Sequence, residues 1–450
     1  MYSDECFNYF KKVIKKSPDK YLEDYNKIYD QVQKSSAIYQ GEPIDFLYQP
    51  MFYNINDVNK LENICIQLVE IINKITQEYK NNSSFRNYFG FPELMEELIL
   101  TDPGYNQNFP IARFDLFYSE NSIKFCELNT DGTSAMNEAR VLQNLFLKSE
   151  IIKEMQKKYK FDIYELFYSW IDKVTANYRE YADRPKNNPN IAIIDFAGEG
   201  TINEFQEFKK RFNKRGYNTV ICDPGELNYI DGTLYFKETP LDIIYRRATT
   251  SRLIEEADNI EDLIKAYKNH DICMIGGFVS QIPHNKIIFS ILHDRNKVSF
   301  LTEEEYEFIK KHIPYTMVFD YENKNLRKKV LQNREKYILK PCDWFACHGV
   351  YVGKDYTPQK WEKLLEELRD KNYIVQEFCE VPDRKMLNII NNNNNSKKER
   401  IEFKKFNYLT GLFLYNQELS GIYTRAGRKN IIGSIVESFT LPSFISQKRR

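Results

Sequence analysis

The chain has 450 residues, with 64 basic and 64 acidic groups, zero formal net charge and 42% apolar residues, which excludes disorder and collagen-like repeats. At about 150 residues per folding unit, the length suits roughly three units or one multi-lobed enzyme. Zero net charge removes the bulk attraction for a phosphate backbone, and a longest uncharged run of about a dozen residues, 272–283, falls short of the ~20 that span a bilayer. The expectation is a soluble cytoplasmic protein with neither nucleic acid nor membrane as partner. The eight cysteines, none in a C-x-x-C pair, suit a reducing compartment.

In chain order, the first hundred residues read as helical. The clearest case is 61–80, where Ile64, Leu68, Ile71, Ile75 and Tyr79 recur at helical spacing behind an Asn56 cap. Residues 111–129 form two alternating segments joined by Ser119-Glu120-Asn121-Ser122, a hairpin signal, and helices follow over about 134–158 and 163–182. The polar, proline-bearing stretch 183–189 marks a boundary. Beyond it, strand 191–196, helix 202–215 and strands 219–222 and 241–245 alternate as a parallel α/β unit of Rossmann type. Gly198-Glu199-Gly200 lacks the third glycine of a dinucleotide fingerprint and reads as a turn. From about 302 come a helix (303–311), a strand (337–340), a Cys347-His348-Gly349 loop, a strand (351–353), a helix (358–370) and a strand (373–378). An asparagine run at 391–395 reads as a solvated loop, and 408–415 with 420–424 as a hairpin-like pair.

Polar residues interrupt the first hairpin at regular intervals: Arg113-x-Asp115 on one arm and Glu127-x-Asn129 on the other. A spacing of two puts each pair on one face. For the pairs to share that face, Asp115 must lie across from Glu127 and Arg113 across from Asn129, with a three-residue loop, 120–122. Two carboxylates and an amide oxygen there offer hard ligands for Mg²⁺, and Arg113 offers a planar fork for phosphate or carboxylate. A solvated face with cross-strand ion pairs is the plainer reading of the same residues. Downstream, Lys340 ends the apolar strand Tyr337-Ile338-Leu339-Lys340-Pro341 and is placed to reach phosphates. Gln376-Glu377-Phe378 ends a strand whose main chain could bond adenine, with an edge strand as the alternative. Tyr423-Thr424-Arg425-Ala426-Gly427-Arg428 places two cations and a glycine after a strand, or simply a charged turn.

Taken together, Arg113-Phe114-Asp115, Phe125-Cys126-Glu127-Leu128-Asn129-Thr130-Asp131-Gly132 and Leu339-Lys340-Pro341 resemble the glutathionylspermidine synthase group of circularly permuted ATP-grasp ligases. The resemblance covers most of the chain from about Phe89. It implies a mixed α/β, ATP-grasp-like, circularly permuted fold with a Rossmann-type subdomain. The domains expected are a helical N-terminal region (1–110), the metal-binding hairpin and helices (111–185), the Rossmann-like subdomain (190–300) and the ATP-binding lobe with the rest of the core (301–450).

It further implies that Asp115, Glu127 and Asn129 hold two Mg²⁺, and that Arg113 lies at the transferred phosphate. Lys340 binds ATP phosphates, with His348 and Gly349 in the covering loop, Gln376, Glu377 and Phe378 flank adenine, and Arg425 approaches the phosphates. The implied activity is ATP-dependent amide formation between a small-molecule carboxylate and an amine through an acyl phosphate. The alternatives are a ligase for an amino acid or diamine of a peptide-like metabolite, and a non-catalytic nucleotide-binding relative. Homodimerisation is left open. Trp344-Phe345-Ala346-Cys347-His348 before a lone Gly349 departs from the glycines usual in that loop, and no separate amidase domain fits in the length.

Overall fold

A computed structural model describes residues 4–119, 122–344, 347–390, 399–433 and 436–449. Its central element is a six-stranded antiparallel sheet. Strand Ile111–Tyr118 lies between Ile123–Asn129 and the long strand Arg400–Tyr415, beyond which come Glu418–Gly427 and Phe439–Leu441, while Asp383–Ile390 pairs with the outer half of the long strand. Ile111–Tyr118 has a neighbour on each edge, and every residue in it except Phe117 is buried. Ala112, Phe114 and Leu116 enter the largest apolar core, so the pleat turns Arg113 and Asp115 together onto the opposite face.

The register places Arg113 opposite Asn129 and Asp115 opposite Glu127, but it does not continue unbroken to the turn. Leu116 faces Phe125 and Tyr118 faces Ile123. Cys126 is the extra residue of a bulge, and the connection is four residues, 119–122, rather than the three that an unbroken pleat predicts. Glu120 and Asn121 lie outside the described residues, as do Asn391–Asn395 of the asparagine run.

The expected α/β unit is a four-stranded parallel sheet, ordered Cys273–Ile275, Ile243–Arg246, Asn190–Ile194, Asn218–Cys222, with helix Ile202–Lys214 after its first strand in the chain. The run Ile191-Ala192-Ile193-Ile194 is wholly buried, as a strand covered on both faces requires. Gly198 and Gly200 both take positive φ in the turn that follows, and a Cβ at Gly200 would collide with the Asp195 carboxylate. A separate antiparallel sheet, ordered Thr316–Val318, Tyr373–Glu377, Tyr337–Pro341, Tyr351–Val352, carries Lys340. Its small core joins Leu339 and Val375 to Val330, Trp361 and Leu365 of the helices Lys324–Gln332 and Pro358–Glu367.

Two expectations for the N-terminal half need correction. Helix Ile55–Asn81 is capped by Asn54, not Asn56: Asn54 Oδ1 accepts from Asp57 N (2.9 Å) while Asn54 N donates to Asp57 Oδ2 (3.1 Å). This reciprocal pair is the capping box. The region is also not wholly helical, because Met51–Tyr53 joins Ser443–Lys448 and Tyr159–Asp162 in a three-stranded sheet. Tyr159–Asp162 falls between the helices Met136–Leu147, Glu150–Met155 and Tyr168–Tyr181. Among the described residues no helix is long and apolar enough to cross a membrane.

The hairpin and the parallel sheet are fastened by a buried ion pair. Asp131 Oδ1 lies 2.6 Å from Arg246 Nη1, with both side chains at most 1% exposed. Asp131 Oδ2 accepts from Thr250 N (2.6 Å), and Arg246 also donates to Ala248 O (2.9 Å) and Ser280 Oγ (3.0 Å). Removing one member of a buried pair strands the other's charge at a cost of about 3–5 kcal/mol. Asp131→Asn should therefore lower unfolding free energy by roughly that amount in denaturant titration. A loss under about 1 kcal/mol would mean that Arg246 is held adequately by its carbonyl partners alone.

Candidate functional site

Across the central sheet, Tyr423, Gly411, Asp115 and Glu127 form one row of cross-strand partners. Asp115 is fully buried and held by two guanidinium groups. Arg113 donates from Nε to Oδ1 (2.7 Å) and from Nη2 to Oδ2 (3.0 Å), and its Nη1 donates to Ser134 O (2.9 Å). Arg425 donates from Nη2 to Asp115 Oδ2 (2.8 Å). It does so across the intervening strand, where Gly411 leaves a trough: a Cβ there would stand 2.8 Å from Asp115 Oδ1 and 2.9 Å from Arg113 Cδ. Both guanidinium carbons lie 5.7 Å from the Tyr423 ring centroid, and the Tyr423 hydroxyl donates to Glu138 Oε2 (2.8 Å). Arg425 thus sits within strand Glu418–Gly427, not in a charged turn.

Glu127 and Asn129 complete this face. Asn129 Nδ2 is 3.3 Å from both Asp115 Oδ2 and Glu127 Oε1. Lys340 donates from Nζ to Cys126 O (3.0 Å) and to Gln376 Oε1 (2.8 Å), and Gln376 Nε2 donates to Thr316 Oγ1 (3.0 Å). The bulge thereby presents a carbonyl to the lysine of the other lobe. Lys286, 5% exposed, places Nζ 4.0 Å from Glu127 Oε2 and donates to Trp344 O (2.9 Å). Burial acts to raise the Glu127 pKa, but the charges of Lys286, Lys340, Arg113 and Arg425 outweigh it and hold the carboxyl at about 2. Burial pushes the Lys340 ammonium down.

Four cations against two carboxylates leave an excess of positive charge at this junction, which fits a polyphosphate arriving with a divalent cation. Among the described residues no group of three or more His, Cys, Asp or Glu forms a ready metal cage. Glu127, Asn129 and Asp115 would hold a cation only together with oxygens from a ligand, the arrangement Mg²⁺ favours. Glu127, with a side chain 27% exposed, is the more accessible carboxylate, whereas the oxygens of Asp115 already accept from the two arginines.

The remaining expected residues lie around this centre in different ways. Cys347 and Gly349 take positive φ in a turn that includes the exposed His348. The Cys347 thiol is raised to about 11, chiefly by burial and then by Glu127, while Arg425 and Lys340 act against it. Phe345 and Ala346 lie outside the described residues, and Trp344 is 56% exposed. Gln376 turns its buried side chain onto Lys340, while Glu377 N donates to Tyr315 O (2.7 Å) and Phe378 N to Lys336 O (2.8 Å). Lys286 and Glu138 carry no motif legible in the sequence, and Tyr423 is legible only as part of the segment that holds Arg425.

The lobe built on Lys340 and the central sheet carrying the Arg113/Asp115 hairpin define a glutathione synthetase-like, ATP-grasp-like fold. A glutathione synthetase-like effector from Globodera pallida has this arrangement, with a TM-score of 0.57 at 10% identity, over 95% of this chain and 97% of that one. In sequence, 135 residues are 30% identical to the ATP-grasp enzyme ankG of Aspergillus thermomutatus, 27% of this chain and 26% of the relative. That match spans about a quarter of the relative's length. No protein-family model matches the chain.

Two measurements probe this geometry. Gly411→Ala should cost about 1–3 kcal/mol in unfolding free energy, as overpacking does; an unchanged denaturation midpoint would mean that the trough is not filled by Arg113. For Glu127, with its folded pKa below the ordinary 4.5, the stabilising contribution is complete above pH 4.5. It is lost as pH falls through about 2. Glu127→Gln should flatten the fall in stability across that window, and an equally steep fall in the variant would remove Glu127 from the cation cluster.

Proposed function

We propose that the chain is an ATP-dependent carboxylate–amine ligase. The observation that carries the reading is the convergence of Arg113, Arg425, Lys340 and Lys286 on Glu127 where the two lobes meet. That excess of positive charge suits a nucleotide triphosphate. In this reading Lys340, steadied by Gln376 and Cys126 O, and Lys286 bind phosphate oxygens, with His348 and Gly349 beside them. Gln376, Glu377 and Phe378 line the adenine end. Glu127, Asn129 and Asp115 hold Mg²⁺, which when bound neutralises phosphate charge and orients the transferred group.

The reaction needs no protein nucleophile. A substrate carboxylate oxygen attacks the γ-phosphorus, the bond to the bridging oxygen breaks and ADP leaves. The amine then attacks the acyl carbon, phosphate departs and the amine loses a proton. Arg113 and Arg425, pinned by Asp115, stay aimed at the oxygens where charge accumulates, so little reorganisation is required during transfer. The hairpin precedes the Lys340 lobe in the chain, an order that supports a circular permutation. Small-molecule acid and amine substrates and a cytoplasmic setting accompany this reading, and an amino acid or diamine is an equally suitable amine. The exposed Trp344 and the lone Gly349 in the loop after Lys340 favour, as a second reading, a nucleotide binder that does not turn over.

The test is a screen of carboxylate and amine pairs for ADP release, with the condensed product identified by mass. Amine-dependent ADP formation, reduced about 10²–10³-fold by Lys340→Met and nearly abolished by Glu127→Gln, is expected. ADP formation indifferent to every amine, or intact in Glu127→Gln at saturating Mg²⁺, would sink the ligase assignment.

A further inference from the structure

Strand Tyr337–Pro341 leads from Lys340 directly into Cys342, Asp343 and Trp344, and these three residues are fastened to the parallel-sheet side of the molecule. Cys342 O accepts from Lys286 N (2.8 Å). Asp343 Oδ2 accepts from Gln281 Nε2 (2.7 Å) and from Ser251 Oγ (3.1 Å), and Asp343 Oδ1 lies 3.9 Å from His284 Nε2. Trp344 O accepts from Lys286 Nζ (2.9 Å). The anchoring groups are rigidly placed: Gln281 is fully buried and His284 is 7% exposed. Ser251 follows Thr250, whose N donates to Asp131 Oδ2.

Lys286 has two partners here, the carbonyl of Trp344 and, 4.0 Å away, the Glu127 carboxylate. The carbonyl is the closer and better-formed contact, and its position depends on the residue before it. A carboxylate gripped by two donors from a buried surface can fix a peptide plane one residue on far more tightly than a solvated loop could. We infer that Asp343 is a positioning residue for the nucleotide site. It clasps the chain after Lys340 to Ser251 and Gln281 and so sets the Trp344 carbonyl that aims Lys286 at the phosphates.

The inference rests on the reading of this junction as a nucleotide site, so its test uses binding rather than turnover. ADP with Mg²⁺ is titrated calorimetrically into wild type, Asp343→Ala, Asp343→Asn, Lys286→Met and the Asp343→Ala/Lys286→Met double variant, with thermal melts confirming that each is folded. Asp343→Ala should weaken binding about tenfold in the wild-type background and no more than about twofold in Lys286→Met, since coupled neighbours are not additive. Asp343→Asn keeps an acceptor oxygen for the clasp and should stay within about threefold of wild type. Full additivity in the cycle would overturn the clasp. Weak binding by Asp343→Asn that raised Mg²⁺ restores would overturn it too, by making Asp343 a metal ligand. Wild type that fails to bind ADP at all would remove the nucleotide reading, and the clasp with it, whereas wild-type binding left unchanged in Asp343→Ala would remove the clasp alone.

Discussion

The constraint on which the site depends is a carboxylate with no access to water. Asp115 lies mid-strand and fully buried in the strand next to the edge strand Ile123–Asn129, where an unpaired charge would cost several kcal/mol. Two guanidinium groups meet that cost, one from its own strand and one from two strands away. The second reaches it only because the intervening position is Gly411. Sheet order, pleat and one missing side chain thus bring Arg425 onto Asp115, 310 positions earlier in the chain, beside Arg113 of the same strand. The arginines gain direction at the expense of part of their free charge, and the Tyr423 ring beneath both of them limits their remaining movement.

The bulge at Cys126 serves a related purpose. In an edge strand a regular ladder commits every second carbonyl to its neighbour, and at the bulge the Cys126 carbonyl is taken instead by the ammonium of Lys340 on a separate sheet. Bulges recur beside active sites for this reason. The thiol of the same residue donates back to Asp115 O (3.1 Å), so the irregularity is held from within. Hairpin and lobe therefore meet through a backbone contact, the Cys126 carbonyl on the Lys340 ammonium.

The expectations that held in the sequence rest on strong periodic signals. The unbroken apolar run at 191–194 announced a buried parallel strand, and the two-residue spacings of Arg113/Asp115 and Glu127/Asn129 announced a shared face. The failures have equally local causes. The capping box at Asn54 was hidden because Asn56 is also a good cap residue. Strand Cys273–Ile275 is too short to stand out from the apolar run that contains it. The bulge adds a residue without disturbing the alternation of Glu127 and Asn129, so only the loop length was misjudged. The partnership of Arg425 with Asp115 could not be read at all, because it depends on which strands are neighbours and on a glycine whose only role is to be absent as a side chain.

The two kinds of cation in the site are held by different kinds of acceptor, and the difference bears on what they can do. The arginines are paired with a carboxylate, which fixes their orientation while cancelling much of the field they would otherwise project. The lysines are held chiefly by neutral oxygens, Cys126 O and Gln376 Oε1 for Lys340 and Trp344 O for Lys286, with the Glu127 carboxylate farther off at 4.0 Å from Lys286. A carbonyl dipole restrains an ammonium without removing its charge, so the lysines keep most of their attraction for an anion. Burial already disfavours the charged form of Lys340, and an approaching polyanion would favour it again. On the proposed ligase reading, a site so arranged would draw an anionic ligand in with the lysines and align it with the arginines, and Glu127, kept ionised by all four, would be where positive charge is shared with a metal ion.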